Sequence, residues 1–213
     1  MLSRLLNFSL YIAISLVPIA AGGGVEMFAD ARVQIFALVC LAWALLESSL
    51  KPEQFARQCF DVAWVLIALF GVTSGIAIAI NEYRYRAELL PRETWVAALG
   101  VGIAALGLAI RYSAIRTLGK FFSYEVKVQN EHRIVQDGLY KYLSHPSYTG
   151  FGLILLGLPL ILSSWLGLMA MVWLTLVGFT IRIYWEENLL IQHFGDAYRD
   201  YQKKTKRLIP FVW

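Results

Sequence analysis

Long charge-free apolar runs recur along the chain, and their lengths predict helices that cross a membrane. Twenty-one uncharged residues lie between Arg4 and Glu26, close to the roughly 20 that a spanning helix needs. A second run extends from Val33 to Leu50 with Glu47 as its one charge, and a third covers the 20 uncharged residues between Asp61 and Glu82. The fourth follows Glu93 and holds 17 uncharged residues up to Arg111, at the short end of the spanning range. Between Lys141 and Arg182 there are 40 uncharged residues. A single helix from Tyr148 to Ile181 would reach about 51 Å, far beyond a hydrocarbon core of about 30 Å. Pro159 and the pair Ser163-Ser164 sit near its middle, so this run is read as two short helices folded into a hairpin. Arg4, the first apolar run and the small residues Ala20, Ala21 and Gly22 also fit a cleavable signal. With the run present in the chain, it is taken as a retained first helix.

Composition agrees. Hydrophobic residues make up 58% of the 213 positions, charged residues 16%, and mean hydropathy is +0.57. Soluble proteins carry about 25% charged residues. The fold class that follows is an all-α integral membrane protein with six transmembrane helices, the last two a hairpin. A disordered, fibrous or disulfide-scaffold protein is excluded. Cys40 and Cys59 form no CxxC and read as small apolar residues.

The charges orient the spans. Segments on the Arg4 side carry +1 (Arg4), +1 (Lys51, Glu53, Arg57), +3 (111–147) and +2 (182–213), whereas the other side carries −1 (Glu26, Asp30, Arg32), 0 (82–93) and 0 at the hairpin tip. By the positive-inside rule both termini are cytosolic, and the two longest polar segments share that face. Net charge is only +4, and no basic run is interleaved with aromatics, so no nucleic-acid partner is expected. Gly71 and Gly75 form GxxxG, while Gly100, Gly102 and Ala105 read GxGxxA. The second resembles a dinucleotide fingerprint but lies in an apolar helix without a preceding strand, so close helix packing is the reading of both.

Polar chemistry gathers at both ends of the last hairpin, in 138-GLYKYLSHPSYTG-150 and in the block that runs from Arg182 to Pro210. Arg182 and Glu186 are four residues apart, which on a helix places a cation and a carboxylate on one face, with Glu187 adjacent. They could form a plain interfacial ion pair, and Lys203, Lys204, Lys206 and Arg207 suit anionic headgroups. Pro146 suits the first turn of the fifth helix, while His145, two tyrosines and a serine there make a polar pocket edge. His132 and His193 have no partner at a ligand spacing, and no metal site is expected.

Taken in order, GLYxYxxHPSYxG, an apolar hairpin, RxxxEE and FGxxYxxYxxxxxxxxP resemble the isoprenylcysteine carboxyl methyltransferase family and the related phospholipid methyltransferases. The resemblance covers Gln129 to Pro210. It implies a membrane enzyme that binds S-adenosylmethionine in a cytosolic-side pocket walled by C-terminal segments, with a lipophilic substrate entering from the bilayer. It divides the chain into a four-helix transmembrane region, 1–112, and a catalytic region, 113–213, made of a cytosolic loop, the hairpin and a C-terminal cofactor-binding helix. Residue by residue, it implies cofactor contacts from His132, Ile134, Val135, Tyr140, His145, Pro146, Ser147, Tyr148 and Glu186. Gln129 joins them if a short gap is accepted. Arg182 matches the arginine that faces the substrate, which with Glu186 forms the expected catalytic pair. One departure stands out: the family usually has arginine immediately before His-Pro, and here that residue is Ser144, leaving its cationic contact missing or supplied by Lys141.

Methyl transfer from a sulfonium needs alignment of acceptor and methyl carbon above all. A carboxylate acceptor is already ionised at neutral pH and needs no general base, which fits a sequence with no nucleophile-base pair. Two rival readings remain at this level. Membrane sterol and steroid reductases share a similar C-terminal pattern and use NADPH, but Phe194-Gly195 is followed here by Tyr198 rather than tryptophan. A non-catalytic scaffold would use the same tyrosines and cations as helix anchors. Acceptor chemistry at oxygen, nitrogen or sulfur stays open.

Overall fold

A computed structural model of the protein describes residues 24–48, 59–85, 94–122 and 134–209, with isolated positions (9, 12–13, 17–19 and 21) of the first apolar run. Among the described residues the α-helices are α1 Ala31–Ser48, α2 Cys59–Tyr85, α3 Thr94–Leu118, α4 Pro146–Ile161, α5 Trp165–Phe194 and α6 Asp196–Lys204, all but the polar α6 formed from apolar runs. Among the described residues there is no strand. Helices α1, α3 and α5 are each long and apolar enough to cross a membrane. Their outward faces carry large apolar side chains, among them Leu38, Leu106 and Trp173, as a lipid-facing surface requires.

Two expectations are revised. The fourth apolar helix does not stop at Arg111 but runs on to Leu118, with Arg111 buried inside it. The hairpin turns where expected, at 162–164, yet its second arm is not short: α5 has 30 residues and carries straight through the Arg182-Glu186-Glu187 block. At about 1.5 Å per residue α5 is roughly 45 Å long, so its last turns extend beyond a hydrocarbon core of about 30 Å. Helix α4, with 16 residues, is shorter than that core. Counting equal rises from the turn sets Pro146 level with about residue 180 of α5. That register is why the His-Pro block and the acidic block meet.

Ends are fixed by local chemistry. Pro146 occupies the first helical position of α4, where its missing N–H costs nothing. Ser164 caps α5, its hydroxyl accepting the Gly167 N–H at 3.0 Å. Glu82, at the end of α2, accepts from the Ser164 hydroxyl and from the Leu166 N–H (2.8 Å), tying α2 to the start of α5. The Asp30 carboxylate accepts the Arg32 N–H (2.8 Å) at the start of α1, and Arg32 reaches the Ser163 hydroxyl (2.9 Å) in the hairpin turn. These bonds rivet the end of the bundle opposite the His-Pro block.

One apolar core joins the helices, with Phe36, Trp43, Ile76, Ile154, Leu158 and Met171 among its fully buried members. Ile19 of the first run is buried in it too. Helices α3 and α4 lie unusually close. A Cβ on Gly107 would come within 2.7 Å of the Gly150 carbonyl, and one on Gly157 within 2.6 Å of the Gly100 carbonyl. Small residues thus let the two backbones touch. The working set is Gly100, Ala104 and Gly107 rather than the GxGxxA positions, since a Cβ on Gly102 would meet nothing. Gly71 and Gly75 pack under Leu174 and Met171 of α5.

Candidate active site

At the far end of the hairpin the chain wraps around the start of α4. The segment before it makes a single helical turn at Gly138–Lys141 and then forms an isolated bridge at Leu143 before reaching His145. Beyond α5, Gly195 adopts φ 57°, ψ −128°, a conformation that suits glycine, and so turns the chain back into α6. The strap after α6 then lies beside the loop: Ser144 N–H donates to the Lys206 carbonyl (2.7 Å), His145 N–H to the Arg207 carbonyl (3.0 Å) and Lys206 N–H to the Tyr142 carbonyl (3.0 Å). Side chains reinforce it. The Thr149 hydroxyl donates to the Leu208 carbonyl (2.7 Å), and the Ser144 and Thr205 hydroxyls are 2.6 Å apart.

Two carboxylates converge on His145. Its Nε2 lies 3.4 Å from Glu187 Oε1 and its Nδ1 3.8 Å from Glu186 Oε1. Glu187 is clamped from the other side by Arg207, whose Nε and Nη2 donate to its carboxylate at 3.0 and 2.7 Å. The Tyr148 hydroxyl donates to Glu186 Oε2 at 2.8 Å and takes a hydrogen bond from Arg182. Tyr148 therefore stands between the two members of the expected catalytic pair. Arg182 is buried, whereas the Glu186 side chain keeps 31% exposure.

Around this cluster, Tyr140 is buried in the turn before His145, and its carbonyl accepts the Tyr201 hydroxyl of α6 at 2.8 Å. Burial, with the Glu186 charge adding, pushes the Tyr140 hydroxyl well above the usual phenol range, so it remains a proton donor. Val135 packs on Ala114 and Tyr140 at the end of α3, with Ile134 half-buried beside it. Pro146 is buried, and Ser147 offers its hydroxyl and carbonyl to Arg111 Nη1 at 3.0 and 3.3 Å. Gln129 and His132 lie outside the described residues. Tyr140, His145, Pro146, Ser147, Tyr148, Arg182 and Glu186 are thus neighbours in space, as the motif order implies. His193 is exposed, its ring meeting Phe194 edge-on. Among the described residues no group of three metal-ligating side chains forms.

The cluster also draws in residues that the sequence marked only as a departure from the motif or as headgroup cations, or did not mark at all. Ser144, which stands where the family usually has arginine, is buried against Thr205, Lys141 is exposed, and Arg207 brings a guanidinium to Glu187. Buried Tyr198 and Tyr201 hold α6 against the loop. The signal for Arg207 was present only as one cation in a run of four. Pairing of the strap with residues 142–145 spans some sixty positions of sequence and leaves no local mark.

A profile of the isoprenylcysteine carboxyl methyltransferase (ICMT) family matches residues 99–192. The chain is 31% identical over 144 residues to protein-S-isoprenylcysteine O-methyltransferase B of Arabidopsis thaliana, covering 64% of this chain and 73% of that one. To form A of the same plant it is 31% identical over 196 residues, covering 88% and 98%. A solved structure of the eukaryotic intramembrane Ras methyltransferase ICMT superposes with a TM-score of 0.65 at 25% identity, over 98% of this chain and 75% of the other.

Proposed function

Because the chain belongs to the isoprenylcysteine carboxyl methyltransferase family, we propose that it methylates the free carboxylate of a prenylated cysteine with S-adenosylmethionine as methyl donor. The observation that carries this reading is the junction at Tyr148, where a buried guanidinium (Arg182) and a ligand-accessible carboxylate (Glu186) share one phenol. One end suits an acceptor carboxylate presented from the apolar side, and the other suits the ammonium group of the donor's amino-acid part.

The residues present fit such a donor. Glu186 offers a half-open carboxylate, Tyr148 and Phe179 offer aromatic faces 5.3 Å apart, and the polar first turn of α4 lies between them and the loop. Tyr140, His145, Pro146, Ser147 and Tyr148, with Ile134, Val135, Gln129 and His132 before them, form the donor side. When bound, S-adenosylmethionine would supply a sulfonium-activated methyl group, whose transfer forms the ester oxygen–carbon bond as the carbon–sulfur bond breaks and S-adenosylhomocysteine leaves. Arg182 holds the acceptor carboxylate by paired hydrogen bonds and thereby aims one oxygen at that carbon. No proton moves, so the Glu187 and Arg207 clamp orients His145 rather than feeding a base. Helices α4 and α5 provide the apolar slot through which the prenyl tail arrives from lipid. We place both termini, and with them the site, on the cytosolic side. Residues 1–112 serve as the membrane wall and 113–213 as the catalytic region.

The test is methyl transfer by the protein in lipid nanodiscs against an S-prenylcysteine, an ethanolamine phospholipid and a small thiol. Formation of a base-labile methyl ester on the first alone is the expected result. Methylation of the lipid amine or thiol instead would reassign the acceptor, and saturable NADPH binding without response to S-adenosylhomocysteine would overturn the reading.

A further inference from the structure

Arg111 belongs to no motif, yet it is the most tightly held cation of α3. Its Nε donates to Glu47 of α1, its Nη1 donates to both the hydroxyl and the carbonyl of Ser147, and its guanidinium lies 4.9 Å over the Phe151 ring. Glu47 is fixed in turn by the Trp43 indole N–H at 3.0 Å. Both members of the pair are buried. A buried ion pair is a poor device for stability, because apolar residues of similar volume usually do as well. A cation beside the first turn of α4 also opposes that helix's dipole. Packing alone therefore does not account for the pair. What it does is grip two oxygens of one residue in the turn that presents His145, Pro146, Ser147 and Tyr148. A second path leads to the same turn, through tilted ring contacts from Phe151 to Phe179 (5.9 Å) and from Phe179 to Tyr148 (5.3 Å).

We infer that Arg111, held by Glu47, is a positioning residue for the methyl-donor side of the site, setting the first turn of α4 without touching donor or acceptor. The inference rests on the methyltransferase reading and extends the site to two residues of the membrane wall. It is selective: Arg182 is carried by the backbone of α5 and meets that turn through the Tyr148 hydroxyl, so its placement does not depend on Arg111. Loss of Arg111 should weaken donor binding and leave acceptor half-saturation unchanged when the donor is saturating.

The experiment titrates S-adenosylhomocysteine into the full-length protein in nanodiscs and records thermal midpoints alongside. Arg111→Met leaves Glu47 buried without its cation and lowers the midpoint. The double variant Glu47→Leu with Arg111→Met removes both charges and regains it. Despite that recovery, the double variant binds S-adenosylhomocysteine about ten-fold more weakly, within the coupling range of contacting residues, while acceptor half-saturation stays at the wild-type value. Arg111→Lys keeps the charge but not the fork, so it weakens donor binding too. Wild-type donor affinity in the double variant or in folded Arg111→Lys overturns the inference, as does an effect confined to acceptor half-saturation. Failure of the unmodified protein to bind S-adenosylhomocysteine is a separate result that removes the methyltransferase reading together with the inference.

Discussion

Arg182 and Glu186 are one helical turn apart, but Arg182 is buried while the Glu186 side chain keeps 31% exposure. Their substitutions should therefore separate. Arg182→Ala should lower kcat/KM for an S-prenylcysteine by about 10- to 100-fold, the range of a lost charge-assisted hydrogen bond, with S-adenosylhomocysteine affinity retained in a binding titration. Glu186→Gln should do the reverse, raising the dissociation constant of S-adenosylhomocysteine about ten-fold by losing an ionic acceptor. These two residues, with His145 to Tyr148, were legible because their spacing is local and chemically unusual for an apolar chain. Arg111 was hidden by its surroundings. In a hydropathy profile a lone arginine after 17 uncharged residues reads as the end of a span, and its buried partner Glu47 lies 64 positions away.

Among elements, the contact of α3 with α4 is the least forgiving. A Cβ on Gly150 would lie 2.5 Å from the Arg111 backbone nitrogen and 2.7 Å from the Gly107 carbonyl, so neither neighbour can yield by rotating a side chain. Gly150→Ala should cost about 1–3 kcal/mol through forced separation of the helices, measured as a lower thermal midpoint in detergent. Gly102→Ala, on the open side of α3, should be neutral or gain about 0.5–1 kcal/mol from helix propensity. Sequence spacing identified small-residue packing in α3 but chose the wrong partners for Gly100, because the face a helix buries depends on where its neighbour lies. The hairpin was legible in its turn, at Ser163-Ser164, and not in its length, since nothing in the polar block after Arg182 interrupts a helix before Gly195.

On the scale of the whole molecule, the site is a seam between the helical bundle and the C-terminal wrap of α6 and its strap. Tyr140, Tyr198 and Tyr201 lie along that seam, outside the spans, and burial pushes all three hydroxyls above the ordinary phenol value. A raised folded value favours the neutral form. Their contribution is thus intact below the unfolded phenol value of about 10 and is lost as pH rises through the folded values. The thermal midpoint should stay level up to about pH 10 and fall beyond it. In Tyr201→Phe it should start lower, because the bond to the Tyr140 carbonyl is gone, and fall less steeply; an unchanged slope would argue against the seam.

The strap has one more consequence, for assembly. His145 receives its backbone partner from Arg207, and Glu187 its clamp from the same residue, so residues 205–208 close the acidic cluster from one side. Helices packed in the bilayer do not by themselves complete that cluster; it is finished only when the strap pairs with the loop before α4.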